Sequence, residues 1–126
     1  MPKTILAVDF DGVLHSYASG WKGPDVILDP PFPGAIEWLR LMTQHFRVEI
    51  FSSRSGMQGG IPAMVAWINQ WAVKVTGDAN WTSEIIYPTV KPPAKVTLDD
   101  RALTFTGQWP TVQEIKDFQP WYLKNK

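Results

Sequence analysis

Apolar positions along the chain alternate between short unbroken runs and longer stretches with helical spacing. ILAV (5–8) is apolar and partly β-branched, the pattern of a strand covered on both faces, and predicts a first strand over 4–9. PGAIEWLRLMTQHF (33–46) opens on Pro and Gly and places Ile36, Leu39, Leu41, Met42 and Phe46 near helical spacing. RVEIFSS (47–53) predicts a second strand, and IPAMVAWINQWAV (61–73) a second helix with Ile61, Met64, Val65, Ile68 and Trp71 on one stripe. EIIYP (84–88) predicts a short third strand, 95–99 a fourth, and 102–106 a further short strand. TVQEIKDF (111–118) predicts a last helix, since Thr111 and Glu114 have the spacing of a capping box.

Between the first strand and the first helix, residues 12–33 read as a long loop with room for a small hairpin, rich in Gly, Pro, Tyr and Trp. The prolines at 30–33 and 92–93 read as rigid connections within one domain spanning 1–126. Strands alternating with helices predict an α/β fold with a mostly parallel sheet and right-handed crossovers. In such sheets ligands gather at the carboxyl ends of the strands, so the polar residues there carry the chemistry.

Three strand ends are polar. Asp9 and Asp11 follow the first strand, Ser52, Ser53 and Arg54 the second, and Asp99 and Asp100 the fourth, with Lys91 and Lys95 just ahead of it. As parallel neighbours these strands would bring four carboxylates together with a hydroxyl and a lysine. Carboxylates packed this closely raise one another's pKa and call for a cation. Oxygen-rich sites with hydroxyl and Lys partners suit hard Mg²⁺ and a phosphate group.

Composition narrows the partners. With 12 Lys+Arg against 12 Asp+Glu, the chain has no bulk attraction to nucleic acid or acidic membranes. Cysteine is absent, which removes disulfide and thiol chemistry and fits a reducing compartment. The early apolar run is broken by Asp9 and Asp11, unlike a signal peptide, and no segment approaches the roughly 20 apolar residues of a membrane helix. The expectation is a cytoplasmic protein with no membrane partner.

DFDGVL (9–14), VEIFSS (48–53) and a Lys ahead of VTLDD (96–100) resemble, in order and spacing, the four motifs of the haloacid dehalogenase (HAD) superfamily of phosphohydrolases. The resemblance covers residues 5–100. It implies a three-layer Rossmann-like sandwich with flanking helices, Mg²⁺ as cofactor and a phosphomonoester as substrate. It makes Asp9 the nucleophile that forms an aspartyl-phosphate, and Asp11 the acid–base that protonates the leaving oxygen and activates water. It implies that Ser52 hydrogen-bonds a phosphoryl oxygen, with Ser53 as the substitute if the second strand runs one residue further. Lys91, preferred over Lys95, neutralises the phosphate, and Gly12 permits the turn out of the strand. The implied metal set is Asp9, Asp11, Asp99 and Asp100. Ser-x-Arg at 52–54 and DDRA at 99–102 are similar to the phosphatase domain of the phage polynucleotide kinase-phosphatase family. That branch would make Arg54 a second clamp on the substrate, against a plain surface ion pair, and would favour a nucleotide or a nucleic-acid phosphate end.

Other residues are less committed. His15 reads as a loop residue that could reach substrate, and Arg101 as structural. Trp21, Trp81 and Trp109 are pocket candidates, while Trp38, Trp67 and Trp71 read as core. The intervals 11–52 and 52–91 leave no room for a large cap domain, which favours a bulky substrate or a homo-oligomer. The alternative from another class is a non-catalytic phosphate-binding or regulatory module on the same fold. A receiver domain, one version of it, would carry an Asp where this chain has Ser52.

Overall fold

In a computed structural model, which describes residues 3–124, three parallel strands form the sheet: β1 (Ile5–Val8), β2 (Arg47–Ile50) and β3 (Val96–Leu98), in the order β2-β1-β3. Helices α1 (Ala35–His45) and α2 (Gly60–Thr76) precede and follow β2, and a short α3 (Val112–Lys116) lies near the carboxyl end of the chain. The α/β architecture with a parallel sheet is therefore present. Among the described residues no helix is long and apolar enough to cross a membrane.

Strand register decides which side chains meet the helices. Leu6 and Val8 pair with Val48 and Ile50, and partners in a parallel ladder share a face. Val8, Val48 and Ile50 join Ile36 and Leu39 of α1 and Met64, Trp67 and Ile68 of α2 in one buried cluster, closed by Phe10 and Leu14. The other face continues through Ala7 to Asp9.

The α1 stripe is Ile36, Leu39 and Thr43, flanked by the half-buried Met42. Leu41, expected on that stripe, is exposed, because five residues past Ile36 is about 140° around the helix. The α2 stripe includes Trp67, which the sequence reading placed in the core but not on this stripe. Gly77, at φ 78°, ends α2 in the left-handed conformation and donates its N–H to the Val73 carbonyl.

Two predicted strands change. Of 84–88, only Ile86 pairs, bridging Glu49 with N–H to Val48 O (3.0 Å) and O to Ile50 N–H (2.9 Å), while residues Asn80–Glu84 form a 3-10 turn. The predicted strand at 102–106 is absent: Leu103 and Phe105 are more than half exposed and the segment pairs with nothing described. Alternation reports which faces a strand would present, but a strand also needs a neighbour, and the outer edge of β3 supplies none there. The loop 12–33 does hold a small antiparallel pairing, with Ser16 N–H to Pro30 O (3.0 Å) and Phe32 N–H to Leu14 O (2.9 Å). The Thr111–Glu114 capping box starts α3 as expected.

From β1 the chain turns to one side for β2 and Ile86, and later returns to the other side for β3. The carboxyl end of β1 thus lies where the connections diverge, the place at which open parallel sheets form their crevices.

Candidate functional site

Asp9 leaves β1 at that divergence. Its N–H donates to the Leu98 carbonyl (2.9 Å), which sets it beside Asp99. Asp9, Asp99 and Asp100 each present an oxygen within 4.8 Å of the others. They open into a cleft of about 290 Å³ shared with Asp11, Tyr17, Trp21, Ser53, Arg101 and Tyr122. Burial, a hydrogen bond with Asp100 and the charges of Asp99 and Asp100 push the Asp9 carboxyl from 3.8 up to about 8. Three carboxylates in this state are a hard oxygen donor set with unmet negative charge, which fits a divalent cation such as Mg²⁺.

Asp11 points into the same cleft but is already partnered. Arg54 Nε donates to its Oδ2 (2.8 Å) and Nη2 to its Oδ1 (3.1 Å), while His15 Nδ1 lies 2.8 Å from Oδ1. His15 Nε2 accepts the Asp29 N–H at 3.2 Å, so the ring donates from Nδ1 to Asp11. Burial opposes ionisation of Asp11, but the hydrogen bonds from His15 and Arg54 and the charge of Arg54 outweigh it and hold the carboxyl below its ordinary value. Asp11 therefore rests as a compensated carboxylate, while Asp9 does not.

Arg54 is neither the surface ion pair nor the open substrate clamp considered from the sequence. Its side chain is 0% exposed. Nη1 donates to the carbonyls of Gly23 (2.8 Å), Pro24 (3.0 Å) and Val26 (3.2 Å), and the guanidinium lies 4.7 Å from the centre of the Trp21 ring. One buried cation thus fastens the loop 21–26 to the motif after β1. His15 is boxed by Phe10, Tyr17 and Trp67 at ring separations of 5.5 to 6.0 Å, with the Phe10–Trp67 contact at 5.0 Å closing the box. It is buried and reaches the cleft only through Asp11.

The two serines face opposite ways. Continuing the β2 alternation, Ser52 is buried on the core side and its Oγ accepts the Arg54 N–H at 3.1 Å. Ser53 lines the cleft. Gly12, at φ 81°, donates its N–H to the His15 carbonyl (2.9 Å), so that donor is committed internally. A Cβ at Gly12 would collide with the Asp100 carboxylate and the Tyr122 ring, so this position requires glycine for space as well as for backbone conformation.

Lys91 and Lys95 lie at different places. Lys91 borders a second cavity, of about 240 Å³, with Ala7, Phe51, Thr97 and Asp99, on the Asp9 face of the sheet. Lys95 sits at the opposite end of the strands, its N–H donating to the Ile5 carbonyl at 3.0 Å. Asp9 lies four strand steps beyond Ile5, about 13 Å.

Three cleft residues were outside the candidate set drawn from the motifs: Tyr17, Arg101 and Tyr122. Arg101 had been read as structural. It is exposed at the rim, with Nε 3.7 Å from Asp100 Oδ2. Tyr122 arrives from a 3-10 turn (Trp121–Leu123) whose Trp121 indole donates to the Gly12 carbonyl at 2.9 Å. No local signal links residues 110 positions apart. Of the tryptophans flagged for a pocket, Trp21 lines the cleft. Trp81 instead packs on the core and donates to Thr76 and Asp78, and Trp109 is 84% exposed beside Phe105.

Arg54→Ala should lower stability by about 3–5 kcal/mol, since it strands the Asp11 carboxylate and three carbonyls away from water. Urea unfolding of the purified variant measures this, and a loss under 1 kcal/mol would contradict the anchoring role. A pH effect follows from Asp9. Its folded-state pKa is raised, so its contribution to stability is complete below about pH 4 and is lost as pH climbs through about 8. Cation-free protein should accordingly weaken over that window, and Mg²⁺ should raise the melting temperature more at pH 8.5 than at pH 5.5. Equal shifts at both pH values would argue against a cation held by this cluster. Compared with known proteins, the chain matches no family model, no curated protein and no solved structure.

Proposed function

We propose that the chain is a Mg²⁺-dependent phosphomonoester hydrolase of the haloacid dehalogenase type, on that family's three-layer Rossmann-like plan and without a large cap. The observation that carries the reading is the convergence of Asp9, Asp99 and Asp100 at the carboxyl end of the parallel sheet, beside a second carboxylate, Asp11, whose charge is separately compensated. Asp9, Asp99 and Asp100 would hold Mg²⁺, which would supply neutralisation of phosphoryl charge.

Asp9 attacks phosphorus, and the ester oxygen departs as Asp9 becomes an aspartyl-phosphate. Asp11 handles the proton. Resting as a carboxylate, it is already in the form that takes a proton from the water attacking the aspartyl-phosphate. Its other task, protonating the leaving oxygen, is opposed by Arg54 and favoured by the phosphate dianion, whose negative charge raises the proton affinity of a neighbouring carboxyl. Ser53 and Arg101, both on the cleft wall, offer hydrogen bonds to phosphoryl oxygens. Lys91 stands on the nucleophile's face and shares Asp99 with it, a position from which a flexible side chain supplies positive charge.

A second reading, a phosphate-binding module without turnover, is favoured by one observation: the paired hydrogen bonds by which Arg54 holds Asp11 ionised. The two readings separate on a panel of phosphomonoesters. Hydrolysis should require Mg²⁺, stop with excess EDTA, and fall by at least about a thousandfold in Asp9→Asn with the fold retained by circular dichroism. Turnover by Asp9→Asn near the wild-type rate would remove the nucleophile, and Mg²⁺-dependent phosphate binding with no turnover on any ester would favour the second reading. Lys91→Ala should lose at least about tenfold more kcat/KM than Lys95→Ala, and the reverse ranking in steady-state assays would transfer the role to Lys95.

A further inference from the structure

Part of the cleft lining is aromatic, and the chemistry proposed for Asp9 and Asp11 makes no use of it. Trp21, Tyr17 and Tyr122 reach it from separate segments of the chain. Each is held in place. The Trp21 ring rests on the Arg54 guanidinium at 4.7 Å, and that guanidinium is itself fixed by Asp11 and three carbonyls. Even so, 44% of Trp21 remains in solvent. Its position is therefore set from beneath while aromatic surface stays open.

Tyr17 takes φ 60°, the one described non-glycine residue with positive φ. That conformation is disfavoured for a bulky side chain and is maintained by its surroundings, here the edge contact of its ring with His15 at 6.0 Å. Tyr122 is delivered by the Trp121–Gly12 hydrogen bond and by Phe32 at 6.1 Å. Three aromatic side chains with restricted freedom thus stand around three acids, in a space of about 290 Å³. A bare phosphate or a small polar ester leaves that aromatic surface unused. A phosphate carried on a planar heterocycle uses both halves.

We propose that this aromatic wall is a base-stacking subsite, and that the site takes a free nucleoside monophosphate with its phosphate at the acidic cluster and its base stacked on Trp21, beside Tyr17 and Tyr122. Stacking on an aromatic side chain serves any base and is strong enough to govern selectivity. A free nucleotide is favoured over a strand end by charge. The chain carries 12 basic and 12 acidic residues, and the cleft wall holds four acids against Arg101 as its one basic side chain. Strand binding depends on neutralising several phosphates along a basic track. The assignment deepens the phosphohydrolase reading and takes from it the placement of the phosphate.

Calorimetry with the Asp9→Asn chain and Mg²⁺ tests the subsite without turnover. Adenosine 5′-monophosphate should bind at least about tenfold tighter than ribose 5-phosphate, which carries the same phosphate on the same sugar. Trp21→Ala should cut that preference to within about threefold, and Trp21→Phe should keep most of it. Equal affinity for the two ligands, no binding of either, or an equal loss for both in Trp21→Ala would overturn the proposal. A 5′-phosphorylated oligonucleotide that bound more than tenfold tighter than the mononucleotide, with steep salt dependence, would overturn the choice of a free nucleotide. Phosphate release by the wild-type chain is measured in parallel. Base-dependent binding without release would leave the subsite standing and sink the hydrolase reading. Release from other esters without base preference would do the opposite.

Discussion

The Arg54 guanidinium has no contact with solvent, and the carboxyl end of the sheet is organised around it. A buried charge is tolerated only when it is paired and hydrogen-bonded, and here every direction is used: Asp11 on one side, three loop carbonyls on another and the Trp21 ring on its face. The consequence is structural before it is chemical. The loop of more than twenty residues between β1 and α1 is anchored near its start by Phe10 and Leu14, and Arg54 ties its carbonyls at 23–26 to Asp11. His15 adds a second tie, joining Asp11 to the Asp29 backbone through an aromatic box.

The same cation divides the acids into two kinds. Asp11 has its charge matched inside the protein, and its carboxyl is held low. Asp9, two residues away, is buried against Asp99 and Asp100 with no ion pair to a cation among the described residues, and burial and these acids push its carboxyl up to about 8. Two carboxylates of one motif are thus shifted in opposite directions, because one lies against a guanidinium and the other is buried against two more acids. Sheet topology produces it: β3 returns on the side of β1 away from β2, so Asp99 and Asp100 flank Asp9 from one direction while Arg54, after β2, approaches Asp11 from the other.

The carboxyl-terminal turn completes the arrangement. Trp121 and Tyr122 fold back over Gly12, and the glycine leaves the space that Asp100 and Tyr122 occupy. Residues from both ends of the chain therefore meet at one turn. In the segment between, from Arg101 to Gln119, only Phe118 is partly buried, and Leu103, Phe105, Trp109, Val112 and Ile115 remain largely in solvent.

By itself the sequence determined the local elements and the strand ends. ILAV, RVEI and VTL have no partner but a sheet, the Ile36–Leu39 and Met64–Ile68 spacings have no partner but a core, and acids placed just after strands fall at a sheet edge wherever the strands are parallel. Thr111 and Glu114 encoded their own cap. Tertiary structure decided what local pattern cannot contain. Whether Ser52 or Ser53 faces the cleft turned on a single step of strand alternation, which register with β1 sets. Whether 102–106 became a strand turned on a neighbour that did not arrive. Arg54 became a buried anchor instead of a surface clamp because the carbonyls of 23–26 came to it, and Tyr122 entered the cleft from 110 residues beyond Gly12. Periodicity carries information about a residue and its next turn or pleat, whereas pairing of charges and closure of loops depend on distances between parts of the chain that only folding brings together.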